Sequence, residues 1–434
     1  MISMMKKILE WKLAWFARMV LKKYQPSVIG VTGSVGKTST KEAIYAVLKT
    51  SFRTGKNVKN YNNEIGVPLA ILGEETGRRN LFAWLGIFWR AVMKLVSKNA
   101  AYPEVLVIEM GADKEGDIEY LTKLVPCTIG VVTAVSGVHL EFFKTFERVI
   151  TEKRKIISHL PKDGWAVLNA DDSHVLAMKE KTRAKIITFG FSEDADVQGT
   201  DAVISQGPPE ATGEFSDIRG ISFKVMYRGS SVPMYLPSVL GQHQVLAGLA
   251  AVAVGIACGL NLLEIAEGLK QFTSPPGRMN LMKGIKDTRI IDDSYNSSPH
   301  AAIAGLNTLK ELYTKGKKIA ALGDMAELGD ATVKGHEEVG AHVASLDIQQ
   351  LVTVGEKAKI IAMAAEKAGM PSAQISSFDH PEQAGRFIQS ILAQGDIVFV
   401  KGSQVARMEK IVKELMAEPL KASELLVRQG PEWV

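Results

Sequence analysis

The run Thr32-Gly33-Ser34-Val35-Gly36-Lys37-Thr38 carries the clearest chemistry in the chain. Glycines at this density let backbone N–H groups close around phosphate oxygens, and a helix that follows adds the positive end of its dipole. In such a loop Lys37 reaches the β- and γ-phosphates of ATP, and the Thr38 hydroxyl takes a place on Mg²⁺. One detail departs from the general phosphate-loop spacing: the position five before Gly36 is Val31, and the glycine sits at Gly33. Two further groups suit a divalent cation. Glu109 closes the apolar run Val105 to Ile108, and His139 follows the run Ile129 to Val132. A hard cation accepts carboxylate and hydroxyl readily and imidazole less often. Taken singly, Glu109 serves equally as a cap or ion-pair partner, and His139 as an ordinary loop histidine.

These groups need elements to bring them together. Val28 to Val31 reads as a buried strand and Thr40 to Leu48 as the helix after it. Val105 to Ile108, Ile129 to Val132 and Trp165 to Leu168 are further short apolar strands separated by helical sequence. That alternation predicts an α/β fold with a parallel sheet covered by helices on both faces. Such sheets bind ligands at the carboxyl ends of their strands, so Thr38, Glu109 and His139 are expected to converge there. Ser205 to Gly220 reads as a β excursion or loop, and Gln244 to Cys258 as an alanine-rich helix. Ser274-Pro275-Pro276-Gly277 cannot continue a helix and is the expected domain boundary. Beyond it Arg289 to Ile291, Lys318 to Leu322, Leu351 to Val354 and Ile397 to Val400 start the alternation again. The expected organisation is a basic N-terminal helix (1–27), a central P-loop ATPase domain (28–275) and a smaller Rossmann-like α/β domain (276–434).

Composition narrows the function classes. The 434 residues are 46% apolar and 23% charged, enough for a full core, which excludes a mainly disordered chain. Two cysteines make neither a disulfide framework nor a zinc site and fit a reducing, cytoplasmic setting. The formal charge is +5, and its location matters more than its size. Lys6, Lys7, Lys12, Arg18, Lys22 and Lys23 stand against Glu10 alone, and the rest of the chain carries as many acids as bases. A basic stripe over a folded domain is absent, so nucleic acid is not an expected partner. The N-terminal segment is too interrupted by charge for a secretory signal or a membrane span.

Beyond single residues, ordered motifs extend from about Val28 to Leu415. They are GVTGSVGKTSTKE, Asn60 to Pro68 (NYNNEIGVP), IEMGADKEGDI, LNADD, PPGR, DDSYNSSP, LGDMAELG and VKGSQVARME. In this order they resemble the Mur ligase family, and within it the branch that joins D-alanyl-D-alanine to UDP-N-acetylmuramoyl-tripeptide. The resemblance implies an ATP-dependent ligase that forms an acyl phosphate from a muramoyl-peptide carboxylate, which the amine of D-Ala-D-Ala then attacks. It implies that Thr32 to Thr38, His243, Arg278 and Asp293 bind ATP, with Asp293 on the ribose. Thr38 and Glu109 would hold a first Mg²⁺, and Glu109, His139 and Lys153 a second. Lys153 matches the lysine that the family carbamylates; without that resemblance it reads as a solvated lysine beside Arg154 and Lys155. Asn62, Asn63, Tyr295, Asn296, Lys401 and Ser403 would line the substrate side, where turn chemistry and capping are the other reading. Closure of the C-terminal domain would keep water from the acyl phosphate. A monomer is expected.

Three departures bear on the substrate. The family's uridine-binding domain is expected to be missing, since only segment 1–27 precedes the P-loop strand. Gln244 and Ala247 stand where relatives carry asparagines near adenine. An insertion of about Glu74 to Pro103 separates two motifs that are normally close. Four of the six tryptophans (Trp11, Trp15, Trp84, Trp89) lie in that insertion and the N-terminal helix. One reading packs these two helices together in place of part of the missing domain. The other makes them an interfacial membrane surface, which would suit a ligase acting on a lipid-linked or other non-uridine acceptor.

Overall fold

The computed structural model describes residues 2–57, 61–78, 80–97, 100–136, 143, 145–206, 218–430 and 433. The chain divides into two compact units: 1–202 with 223–236 and 243–272, and 203–222 with 237–242 and 273–434. The second unit thus begins at Thr273, beside the Pro275-Pro276 turn, and also takes in two segments from inside the expected central domain. The N-terminal helix belongs to the first unit.

Among the described residues one sheet has nine strands in the order β2-β3-β1-β4-β5-β6-β7-β8-β9. These are Thr54–Lys56, Val105–Glu109, Ser27–Thr32, Ile129–Val132, Trp165–Asn169, Lys185–Gly190, Val197–Gln206, Ile218–Tyr227 and Ser230–Pro237. From β2 through β7 the pairing is parallel. The β-branched runs read as strands are buried on both faces, as crossover helices require. Arg228 and Gly229, both at positive φ, form the two-residue turn of the β8–β9 hairpin. Of the stretch Ser205 to Gly220, residues 207–217 lie outside the described ones, and its two ends are strand.

The helices of this unit are α1 Ile2–Tyr24, α2 Lys37–Leu48, α3 Gly66–Leu72, α4 Leu81–Val96, α5 Asp117–Leu124, α6 Phe146–Ser158, α7 Ser173–Leu176, α8 Gln242–Ala257 and α9 Leu262–Leu269. Helix α2 starts three residues before the expected Thr40. Gly36 at φ +84° turns the chain, and its carbonyl already accepts the Thr40 N–H at 2.9 Å. Gly30 on β1 lets α6 approach: a Cβ there would lie 2.7 Å from Cys127 Sγ and 2.9 Å from Ile156. Leu13, Ala14, Ala17 and Val20 of α1 and Ile87 and Ala91 of α4 join one core cluster with β3 and α5.

The second unit holds a six-stranded sheet in the order β10-β11-β15-β12-β13-β14, antiparallel only at β10–β11. Its strands are Asn280–Lys283, Arg289–Asp293, Ile397–Lys401, Lys318–Gly323, Gln350–Val354 and Ile375–Phe378. Helices Pro299–Glu311 (α10), Thr332–Ala344 (α11), Ala358–Lys367 (α12), Pro381–Ile391 (α13), Glu409–Leu415 (α14) and Ala422–Leu425 (α15) complete it. The apolar clusters on its two faces show that helices cover both sides.

Candidate functional site

The glycine-rich loop leaves the carboxyl end of β1, where neighbours β3 and β4 diverge in chain order. Gly33 stands at φ +148°, and a Cβ there would lie 2.0 Å from Thr133 Oγ1, so the loop presses against the end of β4. Thr133 Oγ1 donates to Val35 O at 2.6 Å, and Ser34 N donates to Ala134 O at 2.7 Å. Thr32 Oγ1 donates to Met110 O at 2.9 Å and ties the loop's root to β3. Lys37 Nζ lies back over its own loop, donating to Gly33 O at 2.8 Å and Ser34 O at 3.3 Å. Thr38 is buried on the first turn of α2, whereas Val35 at the loop tip is exposed.

Beside this loop, the β1–β3 register sets Glu109 opposite Val31, so its side chain emerges at the same sheet edge. Glu109 is buried, and its Oε1 accepts from Asn62 Nδ2 at 3.1 Å. Its other oxygen, Oε2, is buried with no hydrogen-bond partner. A carboxylate oxygen withdrawn from water is costly unless a cation meets it. With the Thr38 hydroxyl on the neighbouring loop, that oxygen would suit Mg²⁺, which keeps few protein ligands. Among the described residues no three His, Cys, Asp or Glu side chains cluster to enclose an ion alone. His139 lies outside the described residues.

Lys153 corrects one alternative. It is not a solvated lysine but 3% exposed, inside α6. Burial, and then repulsion from Lys37, lowers its pKa to about 7, against the pull of Glu152, Asp113 and Asp117. Its neighbour Glu152 ties α6 to α5: the carboxylate accepts from Gly116 N at 3.0 Å and Ile118 N at 2.7 Å, capping α5. Of the asparagines, Asn62 faces Glu109, while Asn63 Oδ1 accepts from Gly66 N at 3.0 Å and caps the turn into α3. His243 is exposed on the first turn of α8, followed by the fully buried Gln244.

In the second unit, register brings Asp293 and Lys401 side by side at the ends of β11 and β15. They form a largely buried ion pair, and Lys401 Nζ also donates to Asn296 O at 3.0 Å. The Arg278 guanidinium lies 4.2 Å from the centre of the Tyr295 ring. Ser403 Oγ is buried without a hydrogen-bond partner, while Asn296 is exposed.

Two positioning residues escaped the sequence reading. Asn57 is fully buried and clamps both backbone sides of Glu109: Oδ1 accepts from Glu109 N at 2.9 Å, and Nδ2 donates to Glu109 O at 3.1 Å. Its amide also donates to Tyr61 O at 2.8 Å. Asp292 binds the N–H of Gly277 at 3.1 Å and of Ser294 at 3.1 Å, and burial raises its pKa to about 6. The signal for Asp292 was its place in the DDSYNSSP run; Asn57, three residues ahead of the NYNNEIGVP run, carried none.

The Mur ligase middle domain model matches residues 31–83 and 91–255, and the "Mur ligase, glutamate ligase domain" model matches 277–404. The chain is 29% identical over 408 residues to the UDP-N-acetylmuramoyl-tripeptide–D-alanyl-D-alanine ligase of Bacillus subtilis, covering 94% of this chain and 80% of that one. The Escherichia coli enzyme of the same name is 28% identical over 393 residues, covering 89% and 76%. A crystal structure of MurF from Acinetobacter baumannii superposes with a TM-score of 0.75 at 26% identity, covering 93% of this chain and 79% of that one. MurF ligase from Thermotoga maritima in complex with ADP gives 0.73 at 28%, covering 93% and 83%. The middle-domain match breaks at 84–90, inside α4.

Proposed function

Since the chain belongs to the Mur ligase family, we propose that it joins D-alanyl-D-alanine to UDP-N-acetylmuramoyl-tripeptide, at the cost of ATP, through an acyl phosphate. The observation that carries this reading is the buried, unpartnered oxygen of Glu109 beside the phosphate loop. The B. subtilis and E. coli relatives, ligases named for this substrate pair, support it, and the ADP complex of the T. maritima enzyme supports the nucleotide.

The chemical problem is anion against anion, because a carboxylate must attack the γ-phosphate. The backbone N–H groups of the Gly33–Lys37 loop, apart from that of Ser34, which Ala134 O takes, would cradle the phosphates, and Lys37 would exchange its loop carbonyls for phosphate oxygens. Thr38 and Glu109 would hold Mg²⁺, which when bound would supply positive charge against the anion–anion repulsion. Asn62 holds the Glu109 carboxylate in one orientation, and Asn57 holds its backbone. The Lys153 amine, with its pKa near 7, is largely neutral in mildly alkaline solution, the form that reacts with CO₂. As a carbamate it would support a second Mg²⁺ together with His139 and Glu109. Asp293 would bind the ATP ribose with the lone pairs left beside its Lys401 pair, and Arg278 would face the nucleotide, while Tyr295 would stay on the substrate side. No side-chain nucleophile is required, since the incoming amine itself expels phosphate from the acyl phosphate.

Phosphate release is the direct test, measured with UDP-N-acetylmuramoyl-tripeptide and D-Ala-D-Ala each added and omitted. The reading requires turnover that needs both. Turnover with the dipeptide but a different carboxylate acceptor, and none with the uridine nucleotide, would replace the acceptor and keep the ligase chemistry.

A further inference from the structure

Helices α1 and α4 are apolar on two opposite sides, and only one side of each is covered. Inward, Leu13, Ala17 and Val20 of α1 and Ile87 and Ala91 of α4 are buried in the core. Outward, α1 presents Met4, Ile8, Trp11, Trp15 and Met19, spaced three or four apart along a single stripe, with Trp11 66% exposed. The outer side of α4 presents Leu81, Phe82, Leu85, Trp89, Val92 and Val96, with Phe82 82% and Trp89 66% exposed. The helices run side by side in the same direction. Phe16 meets Phe88 at 5.6 Å, and further along Lys23 Nζ donates to the carbonyls of Lys94 and Leu95, both at 2.9 Å. Phe16 and Phe88 occupy facing flanks, so the two outer stripes form one continuous surface.

Its charge is one-sided. Lys7, Lys12, Arg18 and Lys22 border the α1 stripe, all exposed and none with an acidic partner among the described residues. Lys12 lies 5.9 Å from the Phe88 ring, between the two stripes. The single acid of α1, Glu10, is turned to Lys6 at 3.4 Å, and α4 has no acid. On α4, the exposed Arg90 and the half-buried Lys94 both pair with Glu74.

We propose that this α1/α4 face lies flat on an anionic lipid bilayer, with its tryptophans at headgroup depth. Tryptophan among basic residues matches the interfacial region, where indole spans apolar and wet layers and lysine stems reach phosphate. No described helix is long and apolar enough to cross a membrane, which fits in-plane seating. A second copy pairing by a two-fold axis would set the basic border of one copy against that of the other. A protein interface core would be depleted in lysine. The Mur ligase middle-domain match lapses over 84–90, which takes in Leu85 and Trp89 of this surface, and it does not reach α1.

Flotation of the whole chain with vesicles tests this. Phosphatidylglycerol–phosphatidylcholine vesicles should carry the protein at low salt, and phosphatidylcholine alone should carry far less. Lys12→Gln/Arg18→Gln/Lys22→Gln should weaken binding to the anionic vesicles by roughly a hundredfold. Trp11→Ser/Trp89→Ser should abolish flotation and the blue shift of tryptophan fluorescence on vesicle addition, with an unchanged melting temperature as evidence of folding. Failure to float on either vesicle overturns the proposal. So does binding that the folded tryptophan variant retains, or a wild-type dimer that this variant turns into monomer.

Discussion

Among the described residues of the site, Glu109 is the carboxylate with an oxygen buried and unpartnered. Glu109→Gln keeps its shape and removes its charge. Without nucleotide or metal the variant should melt no lower than the wild type, since an uncompensated buried charge is gone. Phosphate release should nonetheless fall at least ~100-fold, the scale of a lost electrostatic stabiliser. A variant that hydrolyses normally would remove Glu109 from the chemistry. Lys153 poses a second question at this scale. With ¹³C-bicarbonate, a carbamate resonance should appear in wild-type spectra, strengthen as pH rises through about 7, and vanish in Lys153→Met. The reason for the rise is that only the neutral amine adds CO₂. Lys153 was legible only by resemblance: its neighbours Arg154 and Lys155 suggest a solvated charge run, and burial in α6 is set by contacts distant in sequence.

At the scale of elements, the phosphate loop was legible because its glycines are local requirements. Gly33 has no room for a methyl group beside Thr133, so Gly33→Ala should displace the loop from β4 and weaken ATP binding at least ~10-fold, measured by calorimetry. Asn57 is the opposite case. A lone asparagine after a three-residue edge strand announces nothing, yet its amide splices the loop after β2 onto the end of β3. Asn57→Leu should destabilise the protein by about 1–3 kcal/mol in urea unfolding, the cost of stranded buried backbone groups. It should also slow turnover, because Glu109 loses its support. Strands β10 and β14 were missed for a related reason. Asn280–Lys283 and Ile375–Phe378 are short, partly exposed edge strands without the apolar runs that mark the centre of a parallel sheet. The insertion was legible as helical. What was not legible is that its packing reading and its interfacial reading describe different sides of α4. The inner side sets Phe88 and Ile87 against the core, while the outer side remains apolar and uncovered.

Across the whole molecule, two buried titratable groups shape stability in an unusual way. Asp292 has its folded pKa raised from 3.8 to about 6, so the native state binds more protons between those values. Its contribution to stability is present at low pH and is lost as pH rises through about 6. Lys153 has its folded pKa lowered from 10.5 to about 7, so the unfolded state binds more protons in that window. Its contribution therefore returns as pH climbs from about 7 towards 10.5. Together they predict a trough in unfolding free energy near pH 6–7, traced by urea titrations across the range. Asp292→Asn should flatten the acid side and Lys153→Met the alkaline side. A profile unchanged in both variants would assign the trough, if present, to other groups.

Helix α1 also has a history in time. It is made before α3 and α4, the elements that cover its inner side. At about 5–20 residues per second the ribosome takes several seconds to supply them. During that interval an already hydrophobic helix has both sides bare and six positive charges to offer. Nascent chains should therefore be captured early, by chaperones or by whatever surface stands near the ribosome exit. Delaying α1 by circular permutation should raise soluble yield without altering the finished fold.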